Sequence, residues 1–551
     1  MHTPKTFRAG RRLALCGALA TALLSSLPSF AAGRTGDPCA NSRDVALVNG
    51  RIHTMDPKNT VVSAVLIQNG RIAAVGTQAT QGQSACTKTI DLQGRTAVPG
   101  LIDNHVHLLR LQNLPGHDTR ELETAFSMAE LQARLSSKAS RVPAGELIST
   151  IGGIHPNQFA ERRLPVMAEL DAAAPNHPVY LSVSSTGPGI TNTLGRNLLV
   201  SIGVPVARNG QVASGATTDA AFVALRSRLT AEHFPRQLND EMSYALGLGL
   251  TTVYDQAGSV PGAGLLDPAT GYDPILQLAR QDQVPMRIRI FFPAQDTQQG
   301  NPQLMGRLNN AFREFGGDHV RIVGLGEWLV SGDDPLSPVY EPGVRMAASR
   351  GWLYQQHTLG LTSHRNHTAV WERVNLDIPI RDLHWSLAHA NNIDLDTTNR
   401  LKAMGAGVAA HGWSYLASTT ANAGPPFRTL VDSGAPVGGG SDGARISTLN
   451  PWPMIYYMVT GLSSAGVMIN AGQQITRDEA MRLYTASNGW FAKEEHNLGS
   501  IEVGKYGDVV VLSQDFFNPA EVPDSAIRQL KSVLTVVGGK VVHDTAGLGS
   551  R

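Results

Sequence analysis

The sequence predicts a (β/α)8 barrel joined to a small β-sandwich built from both chain ends. Three observations predict it. First, apolar runs with strand character recur along the middle of the chain and end in polar residues, namely His105 and His107, His357, His389 and Asp442. Each ending leads into loop-like sequence, and a barrel of this type gathers the carboxyl ends of its strands at one face. Second, short Val- and Ile-rich runs broken by Asn-Gly or Gly-Gly occur near both termini. Third, 551 residues with 42% hydrophobic content exceed one typical domain and suffice for a large core.

Residues 1–31 read as a signal peptide. Lys5, Arg8, Arg11 and Arg12 precede an apolar run at 13–24, and the small residues Ser29, Ala31 and Ala32 follow. The run is short for a membrane span, so no stable membrane anchor is expected after cleavage, and the mature chain is expected in the periplasm or outside the cell. Removing the segment leaves Cys39 and Cys86 of three cysteines. One spare pair in an exported chain predicts a disulfide; two separate buried thiols are the alternative.

Residues 32–96 and 495–551 are expected to form the composite sandwich. The runs at 45–52 and 65–75 are interrupted by Asn49-Gly50 and Asn69-Gly70, a strong hairpin signal. The runs at 508–512 and 533–542 repeat that style at the other end.

The barrel is assigned to 97–494, with strands ending near His107, Asp255, Phe292, Trp328, Leu359, His389, His411 and Asp442. Residues 108–239 are too many for one crossover. They are read as an insertion, with strands of its own such as 178–183, covering the barrel mouth. Thr476 followed by Glu479 reads as a capping box opening a late helix.

His105 and His107 carry the chemical reading. Alternate residues of a strand face the same side, so both imidazoles can reach one point, as metal ligands do. Alone the pair is weak, and each single histidine is more often a scaffold residue. Four strand endings in series shift the balance to a metal centre. No cysteine is left over for it, so the donors must be histidines and carboxylates, with one or two divalent ions, zinc first.

The stretches 91–107, 249–255, 388–390, 440–442 and 498–512 together make the chain resemble the amidohydrolase superfamily, and within it the YtcJ-like family. The resemblance implies the same barrel and sandwich, and a hydrolase that attacks a carbonyl with a metal-bound hydroxide. It implies His105, His107, His357 and His389 as ligands and Asp442 as the proton shuttle. Asp442 alone could be a turn residue in Gly440-Ser441-Asp442-Gly443, but the buried-looking strand before it and the resemblance outweigh that reading. Relatives carry a bridging lysine on the fourth strand, where this chain places Arg321. Glu327, further along that strand, is read either as the replacement bridge or as one half of an ion pair at the rim. Where relatives have a turn near substrate, this chain reads Ser184 to Ile190 without the usual histidine. His411 is expected to contact substrate. Trp328 and Trp413 are expected to wall an apolar pocket, with simple packing as the alternative. His364, His367 and His384 are read as surface or scaffold residues.

The expected reaction is hydrolysis of a non-peptide C–N bond in an amide, imide or formamide. A lactone or ester hydrolase remains the competing chemistry, and a non-catalytic binding or regulatory protein the competing class. The expected partner is a small-molecule substrate, with a homo-oligomer left open. Lys and Arg total 46 against 45 Asp and Glu, so nothing suggests a nucleic-acid partner.

Overall fold

The structure, a computed structural model, describes residues 39–40, 42–111, 115–256, 272–331, 334–444 and 446–549. The expected signal peptide at 1–31 lies outside the described residues. No helix among those residues is long and apolar enough to cross a membrane. Cys39 and Cys86 are both disulfide-bonded, as the spare pair predicted.

Eight parallel strands form a nearly closed barrel. They are β1 (Leu101–Val106), β2 (Leu250–Asp255), β3 (Arg287–Phe292), β4 (Val320–Glu327), β5 (Leu353–Gln356), β6 (Ser386–His389), β7 (Gly407–His411) and β8 (Val437–Gly440), hydrogen-bonded in that order. Nearly every residue along them is buried, as in a parallel sheet covered on both faces. Closure between β8 and β1 is made just past the strand ends. Asp442 N donates to His105 O at 2.9 Å, and His107 N donates to Gly443 O at 3.1 Å.

A buried asparagine clasps the same seam from inside. Asn488 Nδ2 donates to Ile102 O at 2.6 Å and to Gly439 O at 2.8 Å, while its Oδ1 accepts from Asn104 Nδ2 at 2.9 Å. The glycines of β8 make room for this clasp: a Cβ at Gly438 would lie 2.1 Å from Asn488 Oδ1. Below it, Ile102, Tyr254, Phe291, Val323, Leu353 and Ala409 fill the barrel and pack on Phe491 and Leu498.

The sandwich has a four-stranded and a six-stranded sheet around one apolar core. That core takes Val45, Leu47, Ile52, Val65 and Ile67 from one chain end and Val509, Val511, Leu534 and Val536 from the other. Asn69-Gly70 forms the expected hairpin, with Gln68 opposite Arg71. Asn49-Gly50 does not. Val45–Val48 pairs with Val65–Gln68 and Lys88–Asp91, whereas Arg51–His53 pairs with Val61–Val62 and Thr96–Pro99. The two runs enter opposite sheets, so Asn49, at φ 55°, turns the chain between layers. Thr96–Pro99 also pairs with Val509–Leu512, which moves the sandwich boundary from 96 to 99.

The insertion after β1 holds a five-stranded sheet with strands at His117–Asp118, Ile148–Ile151, Val179–Ser182, Gly189–Thr191 and Gln211–Val212. The expected boundary at 239 falls inside the helix His233–Gly247, which belongs to the crossover into β2. The insertion bonds to the short helix that follows β7 and to the segment that follows β8. Glu123 accepts from Leu449 N and Asn450 N at 2.9 and 3.0 Å, and Asn157 Nδ2 donates to Ala417 O at 3.0 Å. Buried Arg120 contacts Glu123, Asp118 and Glu241 at this junction, at 3.1, 2.7 and 3.9 Å, so each buried carboxylate has a cationic neighbour, as burial requires.

Candidate metal centre

The barrel brings five imidazoles and two carboxylates together at the carboxyl ends of its strands. His105 and His107 come from β1 and the residue after it, and Glu327 ends β4. His357 follows β5, His389 ends β6, His411 ends β7 and Asp442 follows β8. This is the barrel face at which such folds carry their chemistry.

Glu327 sits at the middle. Its Oε2 lies 2.7 Å from His357 Nδ1, 3.3 Å from His389 Nε2 and 3.7 Å from His105 Nε2; its Oε1 lies 3.5 Å from His107 Nε2. Asp442 lies on the other side, with Oδ1 3.1 Å from His107 Nε2 and Oδ2 3.6 Å from His389 Nδ1. His411 Nδ1 is 2.9 Å from His389 Nδ1, so the structure groups this imidazole with the donors themselves.

Among the described residues, three overlapping triads have donor atoms within 4.8 Å of one another: His105, His107 and Glu327; Glu327, His357 and His389; and His105, His389 and His411. A set of imidazole nitrogens and carboxylate oxygens suits zinc and other divalent first-row ions. His411 Nε2 is buried without a hydrogen-bond partner among the described residues. Burial and the neighbouring rings push His389 down to about 3 and His411 well below the ordinary histidine value, so both rings are neutral, the form that ligates. Burial works against Glu327 ionising, but the His357 ring and the bonds from His357 and His389 outweigh it and hold the carboxyl well below its usual range. The residues present therefore fit a metal.

Neighbouring groups orient the donors. His105 Nδ1 donates to Gln355 Oε1 at 2.5 Å, which turns Nε2 toward Glu327; such partners fix ring and tautomer. Asp103 Oδ1 accepts from His105 N and Ser441 N, each at 3.0 Å, tying β1 to the Asp442 turn. Asp442 is both a turn residue, at φ 55°, and a member of the cluster. Trp328 stacks on His357, with ring centroids 4.4 Å apart and an angle of 20°. Trp413 lines an open groove at the rim with Ser414, Ala417 and Ala423.

Arg321 lies toward the opposite barrel end and donates to Glu494 Oε1 at 2.8 Å. Glu327 is the β4 side chain that enters the cluster. His364, His367 and His384 are scaffold. His364 bonds Thr358 Oγ1 and Asn391 O at 2.8 Å each, His367 meets Ser363 O at 2.9 Å, and His384 stacks on Trp490. Sequence reading passed over Gln355. Its signal was its phase, two residues before His357, which directly follows the strand.

The amidohydrolase family profile matches residues 88–543. The chain is 25% identical over 554 residues to an N-substituted formamide deformylase of Arthrobacter pascens, covering 92% of this chain and 99% of that one. Among solved structures, an uncharacterized metal-dependent hydrolase from Pyrococcus furiosus superposes with TM-score 0.57 at 19% identity, covering 86% of this chain and all of that one. Atrazine chlorohydrolase TrzN from Arthrobacter aurescens TC1, complexed with zinc, gives 0.53 at 15%, covering 91% and 95%. With the barrel and its histidine–carboxylate cluster already in place, the family match over most of its length makes this chain a member of the amidohydrolase family and a metal-dependent hydrolase.

Proposed function

We propose that this chain hydrolyses a non-peptide C–N bond, with N-substituted formamides as the first substrate class, in the periplasm or outside the cell. One observation carries the reading: two triads share Glu327 at the barrel mouth, with Asp442 Oδ1 3.1 Å from His107 Nε2 beside them. Similarity to a formamide deformylase over nearly its full length supports the substrate class.

His105 and His107 on one side and His357 and His389 on the other would hold zinc, with Glu327 common to both sets and His411 alongside. When bound, the metal supplies Lewis-acid polarisation of the scissile carbonyl and acidifies the attacking water. Asp442 accepts the proton of that water and returns it to the leaving nitrogen. Its backbone bond to His105 O keeps the carboxylate beside β1 through both transfers. Gln355 holds the His105 ring in place. Trp328 and Trp413 offer apolar faces to the nitrogen substituent.

The test is a panel of N-substituted formamides, acyl amides, imides, lactones and esters, assayed with metal-replete protein. Formate and amine release from formamides supports the proposal. Turnover confined to lactones or esters would replace it with the competing chemistry.

A further inference from the structure

Gln256 follows β2 and is fully buried. Its backbone N donates to Val106 O at 2.8 Å, which seats it beside β1 between the levels of His105 and His107. Its side chain runs toward β4, since a Cβ built on Gly326 would lie 2.2 Å from Gln256 Oε1. Strands β2 and β4 are not neighbours, because β3 lies between them. A buried side chain that reaches from one to the other passes through the barrel interior, and Gly326 immediately precedes Glu327. The absent Cβ of Gly326 is the space the amide occupies.

Among the described residues, neither Oε1 nor Nε2 of Gln256 has a hydrogen-bond partner. Burying an amide without partners is costly, and such orphaned groups call for an explanation. Trp328 Nε1, just past the end of β4, is buried and unpartnered too. Donors and an acceptor are thus left unspent at the same barrel face. A neutral donor and acceptor on one side chain match a ligand that offers an acceptor and an N–H. A secondary amide offers both. An ester, a lactone and a tertiary amide offer no N–H, and would leave Gln256 Oε1 buried and unpaired.

We propose that Gln256 is a substrate-recognition residue that accepts a hydrogen bond from the N–H of a secondary amide, so that the site selects N-monosubstituted formamides and amides over esters, lactones and tertiary amides. This rests on the C–N hydrolase reading and narrows its substrate class.

The first arm measures binding without turnover. Calorimetry on metal-replete wild type compares δ-valerolactam with N-methyl-δ-valerolactam, each sample being checked afterwards for an unopened ring. The N–H lactam is expected to bind at least 10-fold more tightly, and Gln256→Leu to bind the two within threefold. Equal affinities in wild type overturn the proposal, and so does a preference that survives in the variant; an ordered water would then be the partner of the amide. The second arm compares kcat/KM for N-butylformamide and butyl formate, whose ratio should fall at least 10-fold in Gln256→Leu. The third is thermal stability. Removing an unsatisfied buried amide should leave Gln256→Leu at least as stable as wild type, whereas a drop of several degrees assigns the residue to structure. If wild type hydrolyses no formamide, the proposed function falls, while the lactam comparison still decides Gln256.

Discussion

Glu327→Gln removes one negative charge from a pocket in which a single carboxylate meets four imidazoles at 2.7, 3.3, 3.5 and 3.7 Å. The glutamine keeps the shape but leaves a neutral oxygen as the sole donor to both triads. Loss of a group that merely supports a ligand costs about 10–100-fold in metal affinity. Loss of a donor common to two triads should reach the upper end or beyond, at least ~100-fold, or about 2.8 kcal/mol. The assay is competition against a graded chelator series, with metal content read by mass spectrometry and the fold followed by circular dichroism. If two ions share Glu327, stoichiometry should fall as well. Unchanged stoichiometry and affinity in a folded variant would refute Glu327 as a ligand and make its contacts to the imidazoles purely structural.

Asp442→Asn should keep its metal and fold yet lose on the order of 10²–10⁴-fold in turnover, because an amide cannot take the water proton; near-normal rates in metal-replete protein would leave Asp442 a turn residue. Asn488→Ala strands two carbonyls and the Asn104 amide inside the barrel and should cost about 3 kcal/mol or more in denaturant unfolding, with values under 1 kcal/mol arguing against the clasp. Glu479 is held down to about 2 by its bonds with Arg428, against burial, with help from Thr476. A carboxylate whose folded pKa is depressed contributes stability above its unfolded value of 4.5 and loses it as pH falls from there toward 2. The wild-type advantage over Glu479→Gln, about 1 kcal/mol after solvent screening, should thus be present at pH 7 and vanish near pH 2, and a gap independent of pH would contradict it.

Much of the barrel was legible because its strands are buried on both faces and several end at residues of the histidine–carboxylate cluster. The expected ends at Asp255, Phe292, His389 and His411 are the observed ones. The Thr476 capping box is present, with Glu479 N donating to Thr476 Oγ1 at 3.2 Å, since caps are written in local sequence. What escaped depends on distant neighbours. Asn49-Gly50 looks like Asn69-Gly70 in sequence, and only the choice of partner strands decides that one turns between layers while the other closes a hairpin. Asn488 carries no local signal for a clasp that joins β8 to β1, a strand almost four hundred residues away. His411 reads as a lone strand-end histidine until its ring is seen 4.2 Å from that of His105 and 4.8 Å from that of His389. Arg321 drew attention by its alignment with a family lysine, yet its guanidinium answers Glu494 at the far end of the barrel.

The most direct measurement strips the purified protein with a chelator, restores zinc in steps, and follows metal content and formate release from an N-substituted formamide in the same samples. The account predicts no turnover without metal and activity rising in proportion to zinc bound, to saturation at one or two ions per chain. Full turnover in verified metal-free protein, or saturation with zinc that brings no hydrolysis of any formamide, amide or imide, would contradict it.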